Sequence, residues 1–224
     1  MNFFKKIIRF FRSKIYPNYK ISYSQSGEDL IISLLLKKLR IKNPTYLDIG
    51  TNDPIHINNT YLFYTRGCNG TCVEPDPSLI PLIKRWRPRD KCLNMGVTSE
   101  KSGQGNLYLM ESSRLNTLSI PKTKSPENTK NILKIPIINI NDLLASLKQT
   151  PNLVSLDTEG LDFSILSEWN FDKFKPEVIC TETVNHSKDG SKKDSSSIKN
   201  LLEKKGYSLY ADTYINSIFV KSDF

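Results

Sequence analysis

At 224 residues, with 38% hydrophobic and 25% charged side chains, the chain can bury one sizeable core and has the composition of a globular domain, which excludes fibrous and disordered classes. A net charge of +9 would suit a nucleic-acid partner, but residues 1–20 hold six bases and no acid, so the rest of the chain carries a surplus of only three. No nucleic-acid partner is therefore expected.

The first element is a basic arm, residues 1–21. In "MNFFKKIIRFFRSKIY", Phe3, Phe4, Ile7, Ile8, Phe11 and Ile15 recur at helical spacing, with Lys5, Lys6, Arg9 and Arg12 mostly opposite. That pattern suits an amphipathic helix lying against anionic headgroups, and equally one packing on the protein itself. Arg9 and Arg12 break the apolar stretch and no small-residue cleavage site follows, so it does not read as a signal peptide. The longest apolar run, "LIISLLL", is far short of a bilayer span. The expectation is a cytoplasmic protein, peripheral at the inner membrane face if the arm binds lipid.

The domain proper spans 22–224. "SQSGEDLIISLLLKKLR" predicts a helix capped by Ser24 or Ser26, acidic at its start and basic at its end. The spacing then predicts a strand at "TYLDIG" (45–50), a short helix in "NNTYLFYTRG", a strand at "TCVEPD" (71–76), a helix at "PSLIPLIKRW" and a third strand at "KCLNMGV" (91–97). "GNLYLM" and "LNTLS" suggest a peripheral hairpin, and Pro136 marks "LKIPIINI" as an edge strand. A helix "NDLLASLK", a strand "LVSLD" (153–157), a helix "LDFSILSEW" and a strand "EVICTET" (177–183) follow. "NHSKDGSKKDSSS" (185–197) is expected to be a mobile loop, and the end is a helix "SSIKNLLEKK" and two strands, "YSLYAD" and "NSIFVK", joined by a tight turn. The four cysteines form no CxxC pair, and the only histidines are His56 and His186, so free thiols rather than a zinc site are expected.

Strands alternating with helices imply a mainly parallel sheet covered on both faces, with an antiparallel hairpin at the C-terminal edge. Ligands of such sheets bind beyond the carboxyl ends of the strands, where Asp48, Glu74, Asp157 and Glu182 fall. Glu74 lies 26 residues after Asp48, the length at which a strand–helix–strand unit presents an acid to ribose hydroxyls. The glycine fingerprint for a pyrophosphate is missing, because Thr51, Asn52 and Asp53 follow Gly50. A nucleoside ligand without phosphates fits better, and S-adenosylmethionine is the natural choice.

"YSQSGEDLI", "YLDIGTNDP", "NNTYLFYTRG", "CVEPDP", "NMGV", "SLDTEGLDFSIL" and "PEVICTE" together resemble the FkbM-type methyltransferases from about Ser22 to Val220. The resemblance implies a class I methyltransferase fold with a seven-stranded sheet, S-adenosylmethionine as donor, and O-methylation of a sugar, polysaccharide or other small hydroxylated acceptor. Asp48 and Gly50 would form the first cofactor motif, with Asn52 among the cofactor contacts. Glu74 would take the ribose hydroxyls and Asn94 would lie near the adenine. Gln25 and Glu28 would fold over the cofactor or acceptor. The family commonly has Ala in place of Thr51 and small residues around Ile55–Ile57, so His56 inherits no role.

"LDTEG" (156–160) would carry the chemistry. A hydroxyl nucleophile must lose its proton as it attacks, and Asp157, with Glu159 two residues on, can accept it. The structural alternative is that both acids cap the helix that follows. A cation held by Asp157, Glu182 and Asn185 is a further alternative, though no metal is expected. An amine or carboxylate acceptor, or a scaffold that binds without turnover, completes the competing readings.

Overall fold

The computed structural model describes residues 20–110, 116–118, 129–183, 185–186, 192–193 and 196–222. The arm helix expected over residues 1–16 lies outside these residues, as does most of the polar loop "TKSPENTKN". Among the described residues no helix is long and apolar enough to cross a membrane.

Seven strands build one sheet: β1 (Tyr46–Ile49), β2 (Gly70–Val73), β3 (Lys91–Leu93), β7 (Leu153–Leu156), β8 (Val178–Glu182), β11 (Tyr207–Asp212) and β12 (Asn216–Lys221). Their spatial order is β11-β12-β8-β7-β1-β2-β3. All neighbouring pairs are parallel except those of β12, which runs antiparallel to both β8 and β11. This is the expected mainly parallel sheet with a C-terminal hairpin at one edge. β1 and β7 are buried at every position, as strands covered on both faces must be.

Alternate side chains feed two cores. Leu47, Ile49, Val154 and Ile179 pack on one face against helices α4 (Ile140–Ala145), α5 (Asp162–Glu168) and α6 (Ser196–Lys204). Tyr46, Leu153, Val178 and Cys180 pack on the other against α1 (Glu28–Lys38) and α2 (Tyr61–Thr65). A further helix, α3 (Ile80–Trp86), buries Ile83. All four cysteines are free.

The structure corrects several local expectations. The residues 91–97 form two strands, β3 and β4 (Gly96–Thr98), because the Asn94 side chain donates to the carbonyls of Glu74 and Pro75 and turns the chain out of the main sheet. β4 joins a second sheet, ordered β4-β6-β5, with β5 (Gly103–Met110) and β6 (Thr129–Asn139). β6 is thus central, not an edge. Pro136 is tolerated because β4 flanks β6 only from Ile137 onward, leaving β5 as the sole neighbour at the proline. β5 pairs with β6, and the described residues of "LNTLS" contribute the Tyr108–Thr117 bridge. Neither Ser24 nor Ser26 is the N-cap of α1. Gly27, in a left-handed conformation, takes that position, while the Ser24 hydroxyl accepts from the Asp29 N–H inside the first turn. In the expected loop at 185–197, β9 (Asn185–His186) pairs with β10 (Lys192–Lys193) as a short ribbon.

Candidate active site

β1 lies between β2 and β7, so the connections leaving its carboxyl end diverge and open a cleft between them. Gly50 and Thr51 donate to the Val73 carbonyl, and Asp157 donates to the Ile49 carbonyl. The three strand ends are therefore tied together at the cleft floor. Gly50 has φ +79°, and a Cβ there would lie 1.8 Å from the Asp157 carbonyl oxygen. Only glycine allows this approach, and the space above it stays open for a ligand.

Glu74 directly follows β2 and lines the cleft. One oxygen accepts from the Asn52 N–H at 2.8 Å and the other from the Asp76 N–H at 2.9 Å. Each oxygen keeps a second acceptor direction, the pattern that suits a vicinal diol. Burial pushes the carboxyl up to about 7 against those two donors, and the charges of Asp76 and Asp48 push the same way.

Across the floor, Asp157 follows β7 and is exposed within the cleft. The protein packed around it and the Asp48 charge push its carboxyl up to about 6, while water entering the cleft moderates that shift. Neither Asp157 nor Glu159 caps α5. Asp162, the first residue of α5, instead ties down the loop that precedes the helix: it accepts from the N–H groups of Thr158 and Gly160 at 3.3 and 3.4 Å, and is itself pushed up to about 7 by burial and the Asp157 charge. Glu159 sits at φ +53° on the cleft wall, and its carbonyl accepts from the Thr117 hydroxyl.

Of the residues expected to form the site, Gln25, Gly50, Asn52, Glu74, Asp157 and Glu159 line one cleft. Asp48, Glu28 and Asn94 do not. Asp48 turns inward, accepting from Arg87 at 3.1 Å, Asn58 at 3.0 Å and Thr60 at 2.8 Å. Arg87, fully buried, also grips Asp90 at 2.7 Å and lies over the Tyr46 ring. This network holds the loop after β1 rather than a ligand. Glu28 is enclosed by the Ser26 N–H, Thr213 and Asn216, pinning the segment before α1 to the β11–β12 turn. Asn94 shapes the turn beneath Glu74 from outside the cleft.

Sequence reasoning missed several walls: Asn59, Asn116, Thr117, Leu118, Ile215 and Asn216. His56 is there too, its Nδ1 3.2 Å from Asp53, at the exposed rim. Among the described residues no group of three or more His, Cys, Asp or Glu side chains could hold a metal ion. The Asn185 side chain, third member of the conceivable cation set, lies outside the described atoms.

The profile of the FkbM methyltransferase domain matches residues 48–209, from the end of β1 into β11. The chain belongs to the FkbM methyltransferase family. Its methyl donor is accordingly S-adenosylmethionine, and a glycine-floored cleft with a Glu74 carboxylate that keeps acceptor capacity fits that group. No curated protein matches the chain in sequence. Among solved structures, the chain is similar to monomeric WbdD at 11% identity and TM-score 0.48, over 88% of this chain and 41% of that one. It is similar at 10% identity and TM-score 0.44 to a TehB-like methyltransferase of Corynebacterium glutamicum, over 97% of both chains. A third is 1,6-didemethyltoxoflavin-N1-methyltransferase of Burkholderia thailandensis, at 12% identity and TM-score 0.44 over 98% of this chain and 89% of that one. Likeness this distant says nothing of substrate, and the chain spans about two fifths of WbdD.

Proposed function

We propose that this FkbM-family methyltransferase methylates a hydroxyl group of a sugar or other small polyol, with Asp157 as the base. The observation that carries the reading is the charge of the cleft. Its described lining holds five carboxylates (Asp53, Glu74, Asp157, Glu159 and Glu182) and neither Lys nor Arg. A carboxylate or phosphate acceptor would enter such a cleft against repulsion, with no Lys or Arg in the described lining to pair with. A neutral hydroxyl enters freely and meets acceptors for its proton.

S-adenosylmethionine, when bound, supplies an electrophilic methyl group on a sulfonium centre. In this scheme Gly50 leaves the floor open, Glu74 accepts from the ribose hydroxyls, and Asn52 fixes Glu74 through its N–H. The donor would give that methyl group to the acceptor oxygen and leave as the neutral thioether S-adenosylhomocysteine. The hydroxyl proton passes to Asp157 and from there to water. A carboxyl near 6 is ionised at neutral pH, yet more basic than an ordinary aspartate, as a proton acceptor should be. Most of the catalysis lies in holding the reactants in line.

Asp157→Asn keeps the shape and removes the base. Turnover with labelled donor should fall ~10²–10⁴-fold while S-adenosylhomocysteine still binds. A fully active variant would remove Asp157 from this role. An amine acceptor is the second reading, since the same five carboxylates attract a cation. Label recovered on nitrogen rather than oxygen would favour it.

We also propose that the basic arm docks on anionic lipid, which would bring the site to a membrane-borne acceptor.

A further inference from the structure

Beyond the arm the chain carries a surplus of only three charges, and that small sum hides a segregation. α2 joins β1 to β2 and α3 joins β2 to β3, successive crossovers in one direction along the sheet, so both helices share the face that α1 covers. Side chains tie this layer together. Arg66, just past α2, donates to the Ser33 hydroxyl of α1, and Arg89, past α3, donates to the Tyr64 carbonyl and lies over that ring. The segments that build the layer, 28–42, 61–69 and 79–91, expose nine bases. Lys37, Lys38, Arg40 and Lys42 trail off the end of α1, Arg66 follows α2, and Lys84, Arg85, Arg89 and Lys91 surround the end of α3. The three acids of the same segments are all withdrawn from solvent: Glu28 and Asp29 are buried, and the Asp90 carboxylate is held by buried Arg87.

Helix ends collect bases through the macrodipole, but the dipole does not remove acids from a whole layer. The opposite layer shows the difference. Its segments 140–148, 162–173 and 196–205 expose five bases among four acids, Asp142, Glu168, Asp172 and Glu203. The two layers also differ in apolar surface. Phe163 is the one large apolar side chain exposed in those segments, whereas the basic layer exposes Leu34, Leu82 and Trp86, at 54%, 38% and 41%. Leu82 and Trp86 stand four residues apart on α3, so they share one stripe, with Lys84 and Arg85 beside it.

A surface of one charge sign that also holds aliphatic and indole side chains fits a plane of anionic headgroups. The bases meet the phosphates, while tryptophan and leucine reach the acyl boundary. A nucleic acid would use the charge and leave Leu34 and Leu82 in water. We infer that the α1–α3 layer is a membrane-docking face, which seats the folded domain on an anionic bilayer with Trp86 in the interface. The face is separate from the arm and sets an orientation that the arm alone leaves free. The cleft opens at the carboxyl edge of the sheet, beside this layer and not beneath it, so a docked molecule keeps it open to solvent. The inference goes beyond the methyl-transfer reading and does not depend on it.

The chain's two tryptophans make the test direct. Trp169 is buried in the core under the opposite layer, its indole N–H donating to the Phe174 carbonyl, so Trp86 alone can report contact with lipid. The full chain is mixed with vesicles of phosphatidylglycerol and phosphatidylcholine, with and without bromine on the acyl chains. Emission should shift to the blue on the anionic vesicles, lose intensity on the brominated ones, and do neither on phosphatidylcholine alone or at high salt. Trp86→Phe should still co-sediment yet lose both signals. Lys37→Glu/Lys84→Glu/Arg85→Glu should lower vesicle partitioning at least ~10-fold, with melting temperature and S-adenosylhomocysteine affinity as in the wild type. Co-sedimentation without quenching of Trp86 would mean that the arm anchors a domain whose basic layer stays in solvent, and would overturn the inference. Equal quenching on phosphatidylcholine alone, or no vesicle binding at all, would also overturn it. An RNA oligonucleotide bound more tightly than the anionic vesicles, and lost in the triple variant, would give the face to nucleic acid instead.

Discussion

If Glu74 accepts from the ribose hydroxyls, donor affinity must follow its ionisation. A protonated carboxyl spends one oxygen as a donor and can no longer accept two hydroxyls, so the ionised form is the one that binds. With its carboxyl pushed up to about 7, Glu74 is ionised in about nine molecules of ten at pH 8 and about one in ten at pH 6. The affinity for S-adenosylhomocysteine should therefore fall about tenfold between pH 8 and pH 6, a loss of about 1.4 kcal/mol. An ordinary glutamate would lose nothing over that range, since it titrates near pH ~4.3. Titration calorimetry at several pH values reads this directly. Asp157 and Asp162 titrate in the same window, so Glu74→Gln is the control: binding weaker by about 1.5–3 kcal/mol, with the pH dependence gone. A wild-type affinity that stays flat from pH 8 to 6, or a Glu74→Gln protein that binds as the wild type does, would take Glu74 away from the ribose.

The same raised carboxyls set the pH dependence of stability. Glu74, Asp157 and Asp162 hold protons in the folded state that the unfolded chain releases from pH ~4 upward, so the stability these three contribute to the apo protein should be full below pH ~4 and be lost between pH ~4 and pH ~7; a melting temperature that climbs from pH ~5 to pH ~7 would contradict their raised proton affinity. Gly50→Ala puts a methyl group 1.8 Å from the Asp157 carbonyl and should lower donor affinity at least ~10-fold while costing about 1–3 kcal/mol of stability, read by calorimetry and urea unfolding. Arg87→Met leaves Asp48 and Asp90 buried without their cation and should cost about 3–5 kcal/mol in urea unfolding, against less than about 1 if the network were incidental. Deleting residues 1–16 should preserve donor binding and weaken salt-sensitive co-sedimentation with anionic vesicles; loss of donor binding would place the aromatic stripe in the core instead.

Hydrophobic pattern made the layered sheet readable, because β1, β7 and β8 are apolar runs divided by helical spacing, each with an acid at or just past its carboxyl end or within it. Gly50, Glu74 and Asp157 could be assigned to one cleft for the same reason: strand ends of a parallel sheet converge. What local pattern could not reveal was the direction an acid turns. Asp48 sits one residue before Ile49 at the end of β1, yet its carboxylate points to Arg87, 39 residues away in a segment that reads as an exposed basic helix end. Glu28 is claimed by Thr213 and Asn216, 185 and 188 residues later. The break at Asn94 was hidden because β3 and β4 continue one apolar pattern into two sheets. Left-handed Ile57 and Tyr214 gave no signal at all, since neither residue type announces a positive φ.

The account's central claim is methyl transfer to oxygen on an uncharged acceptor, and the product's linkage tests it most directly. The purified chain is incubated with trideuteromethyl S-adenosylmethionine and glycan extracts, and the products are analysed by mass spectrometry before and after mild base. The account predicts deuterated methyl ethers on sugar hydroxyls, stable to base, formed by the wild type and sharply reduced with Asp157→Asn. Base-labile methyl esters, or label found only on nitrogen, would contradict it.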